Sequence, residues 1–316
     1  MKTLKTFFHI GIACLGVFSL CQCSKSVSAP ELEVCQWAGD ANAAISYTFD
    51  DNCPNQFSTV IPMFNEFDIH GTFFPVINWL GGNYDNIKAA VAAGHEIGSH
   101  TVSHANLGEL STEDVIAELH GSRTTIEEVI GNGYKCVTIA YPYCIAPDSI
   151  ELVADDYINA RVCDGRVDST DVNFLRVSSH PLGAVFNRTS CEDLISIFDA
   201  TRAKNGWSTL LFHEIDEGSG YSPFPSAEIR KSLEYLKENE SIYWVAPMGE
   251  VARYIVERET YTLDVHQENG KYVAKLSLEG LDEEIFNMPL TFKYTKKDGS
   301  LGYINLSPDE VVEIDF

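Results

Sequence analysis

The sequence predicts an α/β chain: a closed or nearly closed barrel of alternating strands and helices, followed by a small all-β module. Between Ala44 and Arg258 short apolar runs alternate with helix-like stretches, the pattern of a parallel sheet covered by helices. The unit recurs about seven times, which favours a ring over an open sheet. After Glu259 the pattern changes. Thr262, Asp264 and His266 alternate with Tyr261, Leu263 and Val265, the period of a half-buried strand.

The expected barrel strands lie in 44–49, 71–76, 95–99, 137–141, 159–163, 208–212 and 242–246. The expected helices lie in 86–93, 112–130, 192–203 and 227–238. Ser111 is a good N-cap for the second of these, acids fill its first turn, and Gly131 and Gly133 supply its stop. In the tail, 273–278, 290–294, 303–306 and 311–314 read as further strands. Asn269-Gly270 and Asp298-Gly299 are hairpin turns.

Composition narrows the partners. The 316-residue chain is 45% hydrophobic, enough for a full core. Its formal charge of −24 argues against nucleic acid or an anionic membrane surface, because both require a basic face. It suits a soluble protein acting on a neutral or cationic substrate, and it equally suits a protein whose acids only keep it soluble.

The N-terminus reads as a targeting segment. Lys2 and Lys5 precede an apolar run from Phe7 to Leu20 that is shorter than the roughly 20 residues needed to span a bilayer. Leu20-Cys21-Gln22-Cys23 resembles a bacterial lipoprotein box with Cys23 as the lipid-bearing residue, although Gln22 stands where a small residue is usual. The expectation is export to the periplasm or cell surface, with membrane contact only through a lipid on Cys23. The expected division is a signal peptide (1–22), a linker (23–40), the barrel (41–258) and a β-sandwich-like module (259–316). Beyond Cys23 stand Cys35, Cys53, Cys136, Cys144, Cys163 and Cys191. An exported chain permits disulfides among them, and sequence does not choose the pairing.

Four short clusters carry chemistry: Thr48-Phe49-Asp50-Asp51, His100-Thr101-Val102-Ser103-His104, Tyr141-Pro142-Tyr143 and Leu211-Phe212-His213. Each follows or closes an expected strand, on the face where barrels place their active sites. Singly, each has a plain reading. Paired aspartates after a strand serve as turns or caps, histidines four apart are commonly solvated, and a histidine ending an apolar strand is commonly a satisfied core group. Jointly, one carboxylate and two imidazoles make a three-ligand site of the catalytic zinc type. A second carboxylate can take a proton from water, and a further histidine can protonate a leaving group.

These clusters resemble the motifs of the polysaccharide deacetylases of carbohydrate esterase family 4, which share the NodB homology domain. Thr48-Phe49-Asp50-Asp51 is similar to the family's first motif, His100 to His104 to its H-[ST]-x-x-H motif, and Leu211-Phe212-His213 to its L-x-H motif. Gly71-Thr72-Phe73-Phe74 and Gly94-His95-Glu96-Ile97-Gly98 also look like family segments. The resemblance runs from about Ile45 to Glu257 and implies a distorted (β/α) barrel. It implies that Asp51, His100 and His104 bind a divalent metal, usually Zn2+. Asp50 would be the general base and His213 the general acid. The Tyr143 N–H would help hold an oxyanion, and Leu211 and Pro142 would line the acetyl pocket.

Two departures stand out. Ala140 occupies the place of an arginine that normally orients the base, which leaves Asp50 to backbone N–H groups, water, or a cation such as Arg161 or Arg166. The family's D-x-x-D-W motif survives only as Asp168-Ser169-Thr170-Asp171, with Val172 in place of tryptophan. Asp168 and Asp171 are therefore secondary candidates for the acid that holds His213, against a reading as plain loop acids. Cys53 and Cys144, close to the first and third motifs, are either bridged or buried free thiols. The implied function is hydrolysis of acetyl groups from a carbohydrate: an N-acetylglucosamine-containing glycan or an acetylated xylan-type polysaccharide, by attack of a metal-activated water. The alternative is a non-catalytic glycan-binding surface lipoprotein on a degenerate deacetylase barrel.

Overall fold

The computed structural model describes residues 29–316. The expected signal peptide (1–22) and Cys23 lie outside the described residues. The chain opens with a short strand, β1 (Glu33–Val34). The central strand β2 (Ala43–Asp50) is followed by α1 (Ile61–Phe67), β3 (Thr72–Phe74), α2 (Asp85–Ala92), β4 (Glu96–Ile97) and α3 (Thr112–Ile130). Then come β5 (Thr138–Ala140), β6 (Asn159–Arg161), β7 (Ser179–Pro181), α4 (Cys191–Ala203) and β8 (Trp207–Phe212). The last elements of the α/β region are α5 (Ser226–Glu238), β9 (Tyr243–Val245) and α6 (Met248–Thr260).

These strands form a ring. β4, β3, β2, β8 and β7 are hydrogen-bonded in that order, all parallel. β5 and β6 form a separate parallel pair. Single bridges, Ser99 to Ile139 and Arg161 to Val177, join that pair to β4 and β7 and close the ring. Closure by single bridges where a regular barrel has ladders is what makes this (β/α) barrel distorted. β9, expected as a ring strand, pairs instead with the amino half of β2.

β7 was not expected. Ser179-His180-Pro181 is no apolar run, and its strand character comes from its neighbours: Ser179 to Pro181 pair with Thr209 to Leu211. Pro181, which has no N–H to give a ladder, stands at the strand's last position. The helices α2 to α5 fall within a residue or two of expectation. Ser111 Oγ accepts from Asp114 N at 3.2 Å, the expected cap. α1 and α6 were not anticipated.

β2 is buried along its whole length, so its side chains divide between two apolar regions. Tyr47 and Phe49 face the surrounding helices. Phe49 stacks on Phe73 at 4.9 Å and on Phe212 at 5.2 Å, which are its cross-strand partners on β3 and β8. Tyr47 meets Phe64 of α1 and donates or accepts with Ser232 of α5 at 2.7 Å. Ala44, with Phe74, Ala140, Val177 and Trp207, fills the interior, and Met248, Val251 and Ile255 of α6 pack on that group. Period-two alternation thus sends Asp50 inward and Phe49 outward.

The tail strands are β10 (Tyr261–Glu268), β11 (Lys271–Leu278), β12 (Leu290–Thr295), β13 (Leu301–Leu306) and β14 (Val311–Ile314). They form two antiparallel sheets, β10-β11-β14 and β1-β12-β13. Asn269 (φ 50°) and Gly270 (φ 83°) make the β10–β11 turn, both left-handed as a tight hairpin requires. The stretch expected as a linker, 23–40, thus supplies an edge strand: Glu33 and Val34 pair with Lys293 and Phe292. Two residues are too few for alternation to reveal a strand. Tyr254 of α6 lies in the tail's apolar cluster and donates to Cys35 O at 3.0 Å.

Removing the Phe49 ring leaves a cavity between β2, β3 and β8. Phe49→Ala is expected to lower unfolding stability by about 3–5 kcal/mol, read as a shift in the urea midpoint with unchanged slope.

Candidate active site

The ring's strands end at one mouth, and polar side chains follow each end. Asp50 is the last residue of β2 and Asp51 the next. His100 and His104 follow the bridge at Ser99. Pro142 and Tyr143 follow β5, Arg161 ends β6 and His213 follows β8. In a parallel barrel the carboxyl ends share one face, so neighbours in the ring become neighbours in the site.

Asp51 Oδ1 lies 3.5 Å from both His100 Nε2 and His104 Nε2. The three candidate ligand atoms fall within 4.8 Å of one another. Left-handed backbone at Asp51 (φ 72°), Thr101 (φ 67°) and His104 (φ 63°) makes the convergence possible. Non-glycine residues hold that conformation only where the surroundings enforce it. Here Ser99 Oγ accepts from Thr101 N and Thr101 Oγ1 from His104 N, each at 3.0 Å. Glu118 of α3 accepts from Val102 N at 2.8 Å and from Ser103 N at 2.9 Å. Ser103 Oγ donates to it as well, and nothing in the sequence marks Glu118, because only the fold brings these donors to it.

The donor set fits a divalent cation. His100 Nδ1 is 2.7 Å from Ala140 O. A carbonyl only accepts, so Nδ1 carries the proton and Nε2 presents its lone pair towards Asp51. Burial lowers the His100 ring to about 4, against the pull of Asp50, which leaves it neutral at pH 7. Burial lowers His104 as well. Asp51 Oδ1 is buried without a hydrogen-bond partner. Burial, then the charge on Asp50, pushes the Asp51 carboxyl up to about 7. A cation beside it would reverse that shift.

Asp50 is met differently. Burial alone would raise its carboxyl, but the Arg161 guanidinium, with His100 and His213, holds it below the usual carboxylate range. Arg161 Nη2 donates to Asp50 Oδ2. The guanidinium lies over the Phe74 ring at 5.4 Å and reaches Ser179 Oγ at 3.5 Å. Ala140 and Arg161 are cross-strand partners. The cation missing at 140 therefore enters from the next strand at the same height. Arg166, the other cation considered, is exposed and paired with Asp164 at 2.6 Å.

Cys144 is disulfide-bonded to Cys163. The bond ties the turn after β5, which carries Tyr143 (φ 57°), to the end of β6, which carries Arg161. Cys53, considered as a partner for Cys144, is instead a buried free thiol; the strand order puts β6, not β2, beside β5. Pro142 and Leu211 are buried at the mouth's base, Leu211 beside Thr48 and Pro181.

Gln56, not singled out from the sequence, is fully buried. Its Nε2 donates to Asp50 O at 2.5 Å and to His213 O at 2.8 Å, so one amide spans the ends of β2 and β8. Burial lowers His213, and its Nδ1 is buried without a partner. Neither secondary acid reaches it. Asp168 exchanges backbone hydrogen bonds with Trp207, at the amino end of β8, and its carboxylate accepts from Ser178 N at 2.7 Å. Asp171 is exposed. Both belong to the far end of the strand from His213, because the 162–178 segment crosses beneath β8 before β7 begins.

Residues 39–158 match the family model described as polysaccharide deacetylase. Over this segment the chain is similar to that family. The deacetylase match covers Asp50, Asp51, His100, His104 and Tyr143 and ends before β6, so Arg161 and His213 lie outside it. A gellan lyase of a Bacillus species is 28% identical over 292 residues, 85% of this chain and 12% of that protein. A chitin deacetylase of Arthroderma benhamiae is 27% identical over 135 residues, 41% of this chain and 35% of that protein. The chain thus spans well under two thirds of these relatives' length. Among solved structures, the peptidoglycan deacetylase PdaC of Bacillus subtilis is similar at a TM-score of 0.49 with 18% identity, over 69% of this chain and 93% of that one.

Removing one partner of a buried ion pair strands the other. Arg161→Met is expected to lower stability by about 3–5 kcal/mol at neutral pH, and Arg161→Met combined with Asp50→Leu to regain most of it. Urea denaturation of the two variants measures this; a loss below about 1 kcal/mol for the single variant would mean that Arg161 is not what holds Asp50.

Proposed function

We propose that the protein is a metal-dependent hydrolase that removes acetyl groups from a carbohydrate. The observation that carries this reading is the Asp51, His100 and His104 cluster set beside a buried, Arg161-paired Asp50 and beside His213. A divalent cation on the three ligands, Zn2+ by the character of the donors, would polarise an acetyl carbonyl and acidify water. Asp50, kept ionised by Arg161, accepts the proton of the attacking water. His213 gives a proton to the leaving nitrogen or oxygen, and the burial that lowers its proton affinity makes its protonated form the stronger donor. The Tyr143 N–H, in a turn tied down by the Cys144–Cys163 disulfide, donates to the developing oxyanion. Leu211 and Pro142 receive the acetyl methyl. The chitin deacetylase and the peptidoglycan-N-acetylmuramic acid deacetylase among the relatives support an N-acetylated amino sugar as the first substrate to try.

A second reading, a glycan-binding protein without turnover, is favoured by one observation: His213 Nδ1 has no partner to hold its ring. The Arg161–Asp50 pair weighs against it, since binding alone gives no reason to keep a buried base ionised. Acetate release from a panel of acetylated glycans, with and without added zinc, separates the two. Asp50→Asn and His213→Ala are each expected to lower turnover by at least about 10²-fold with metal content near wild type. Asp51→Ala is expected to lose the metal as well. Near-normal turnover in Asp50→Asn would remove Asp50 from the role of base.

We further propose that the protein is exported and tethered by lipid on Cys23. The Cys144–Cys163 disulfide supports an oxidising compartment, and no helix of the described residues is long and apolar enough to cross a membrane. The intact mass of the membrane-extracted protein is expected to fit a chain that begins at Cys23 and carries acyl groups. A mature chain that starts beyond Cys23 would rule the anchor out.

A further inference from the structure

Two buried polar atoms at the mouth lack a partner, and they belong to residues that already touch. Gln56 Oε1 and His213 Nδ1 are each buried without a hydrogen bond, while Gln56 Nε2 donates to His213 O at 2.8 Å. A buried polar group left unpaired is costly, so each of the two atoms calls for a partner. Turning the amide round does not remove its orphan. Asp50 O and His213 O only accept, so Nε2 must face them and Oε1 must lie on the other side of the amide.

Local structure fixes Gln56 against the end of β8. It opens a wide helical turn, Gln56–Val60, in which Ile61 N donates to Gln56 O, five residues back. Such π-helical turns are rare and concentrate at functional sites. Gln56 N is itself tied to Cys53 O at 3.0 Å. The residue before it works on the same strand end: Asn55 Nδ2 donates to Ile215 O at 2.7 Å. Two consecutive amides thus hold His213 and Ile215 by their carbonyls. Tyr221 meets the His213 ring edge-on at 4.9 Å, a contact that restricts the ring's tilt but gives Nδ1 no acceptor. Asp168 is engaged with Ser178 N at the far end of β8 and Asp171 is exposed. Gln56 is therefore the side chain that already hydrogen-bonds this residue and still has an acceptor to offer.

We propose that Gln56 is the positioning residue for His213: its Oε1 accepts the imidazole Nδ1–H through one bound water, the task that neither Asp168 nor Asp171 can perform. This rests on the deacetylase reading above. A water between two buried polar groups satisfies both, and such waters are a regular part of protein interiors. The hydrogen bond made by one ring nitrogen sets which nitrogen carries the proton. With Nδ1–H held on the Gln56 side, Nε2 is the nitrogen that takes up a proton. It gives that proton to the leaving nitrogen or oxygen as the bond to the acetyl carbon breaks. The same amide grips the carbonyl of Asp50, so one buried side chain sets the spacing of base and acid across the ends of β2 and β8.

The test compares wild type with Gln56→Met, which removes every polar atom of the amide, and with Gln56→Glu, which as a neutral acid keeps an acceptor and a donor. Two acetyl substrates are used: an N-acetylglucosamine oligomer, whose leaving nitrogen needs a proton, and 4-nitrophenyl acetate, whose leaving phenolate does not. Gln56→Met is expected to lower kcat on the oligomer by about tenfold or more with KM little changed. On the ester the change should stay below about twofold. Gln56→Glu is expected to recover most of the oligomer turnover that Gln56→Met loses. Nitrogen-15 spectra, assigned with His213→Ala, should show the His213 ring as the Nδ1–H tautomer in wild type and Gln56→Glu. In Gln56→Met the ring should revert to Nε2–H, the form that a free histidine favours. Equal losses on both substrates, no loss on the oligomer, or a neutral wild-type ring protonated at Nε2 would overturn the proposal. So would a tautomer that survives Gln56→Met and is lost in Asp50→Asn, since the base would then be what holds the ring. Should Gln56→Met fail to fold, the wild-type tautomer decides. If wild type hydrolyses neither substrate, the deacetylase reading fails and the spectra alone are read: an Nδ1–H ring that Gln56→Met abolishes supports Gln56, and any other result overturns it.

Discussion

A carboxylate sealed inside a barrel must be protonated or paired, and much of this site follows from how Asp50 is paired. Alternation along β2 sends Asp50 inward, where water cannot solvate it. Arg161 answers from β6, and for that β6 must stand beside β5 with Ala140 opposite Arg161. A small residue at 140 is then required, because two arginines at one height would crowd the same interior. Ala140 keeps a second duty through its backbone: its carbonyl orients His100. The ion pair, the histidine tautomer and the short β5–β6 sheet are thus one arrangement. The Cys144–Cys163 bond spans the two strand ends that hold it.

Asp50 and Asp51, adjacent in sequence, are pushed in opposite directions by their surroundings. The backbone turns left-handed at Asp51, which swings its carboxylate away from Arg161 and towards the two imidazoles. One acid is therefore bonded directly to a guanidinium, while the other lies against two imidazoles and its neighbour's charge, with Arg161 acting on it only as a weaker, opposing charge. This separation gives two adjacent like groups different surroundings, a bonded guanidinium for one and a pair of imidazoles for the other.

The mouth is held from beneath by side chains that hydrogen-bond the turns and strand ends around it. Gln56 joins the carbonyls of Asp50 and His213, Glu118 cradles the turn between the two histidines, and Glu214 folds the loop that presents Tyr221. Each satisfies backbone donors or acceptors that the ring leaves unpaired where its strands stop. At the other end, α6 seals the barrel with Met248, Val251 and Ile255 and gives Tyr254 to the tail's core.

By itself the sequence determined the alternation of strands and helices, the β tail with its Asn269-Gly270 turn, and the residues Asp50, Asp51, His100, His104 and His213. These are local signals: periodicity, turn chemistry and short motifs placed at strand ends. It left β7 hidden, since Ser179-His180-Pro181 is a strand only because β8 pairs with it. It could name Arg161 as one of two cations for Asp50 but not choose, because the choice depends on which strand lies beside β5. It offered Asp168 and Asp171 as partners for His213 through a partial motif match, whereas the fold puts them at the opposite end of β8. The pairing of Cys144 with Cys163 and the bridge made by Gln56 were likewise decided by tertiary structure alone. Each depends on segments far apart in the chain meeting at one end of a ring, and no local pattern encodes which strand ends will be neighbours.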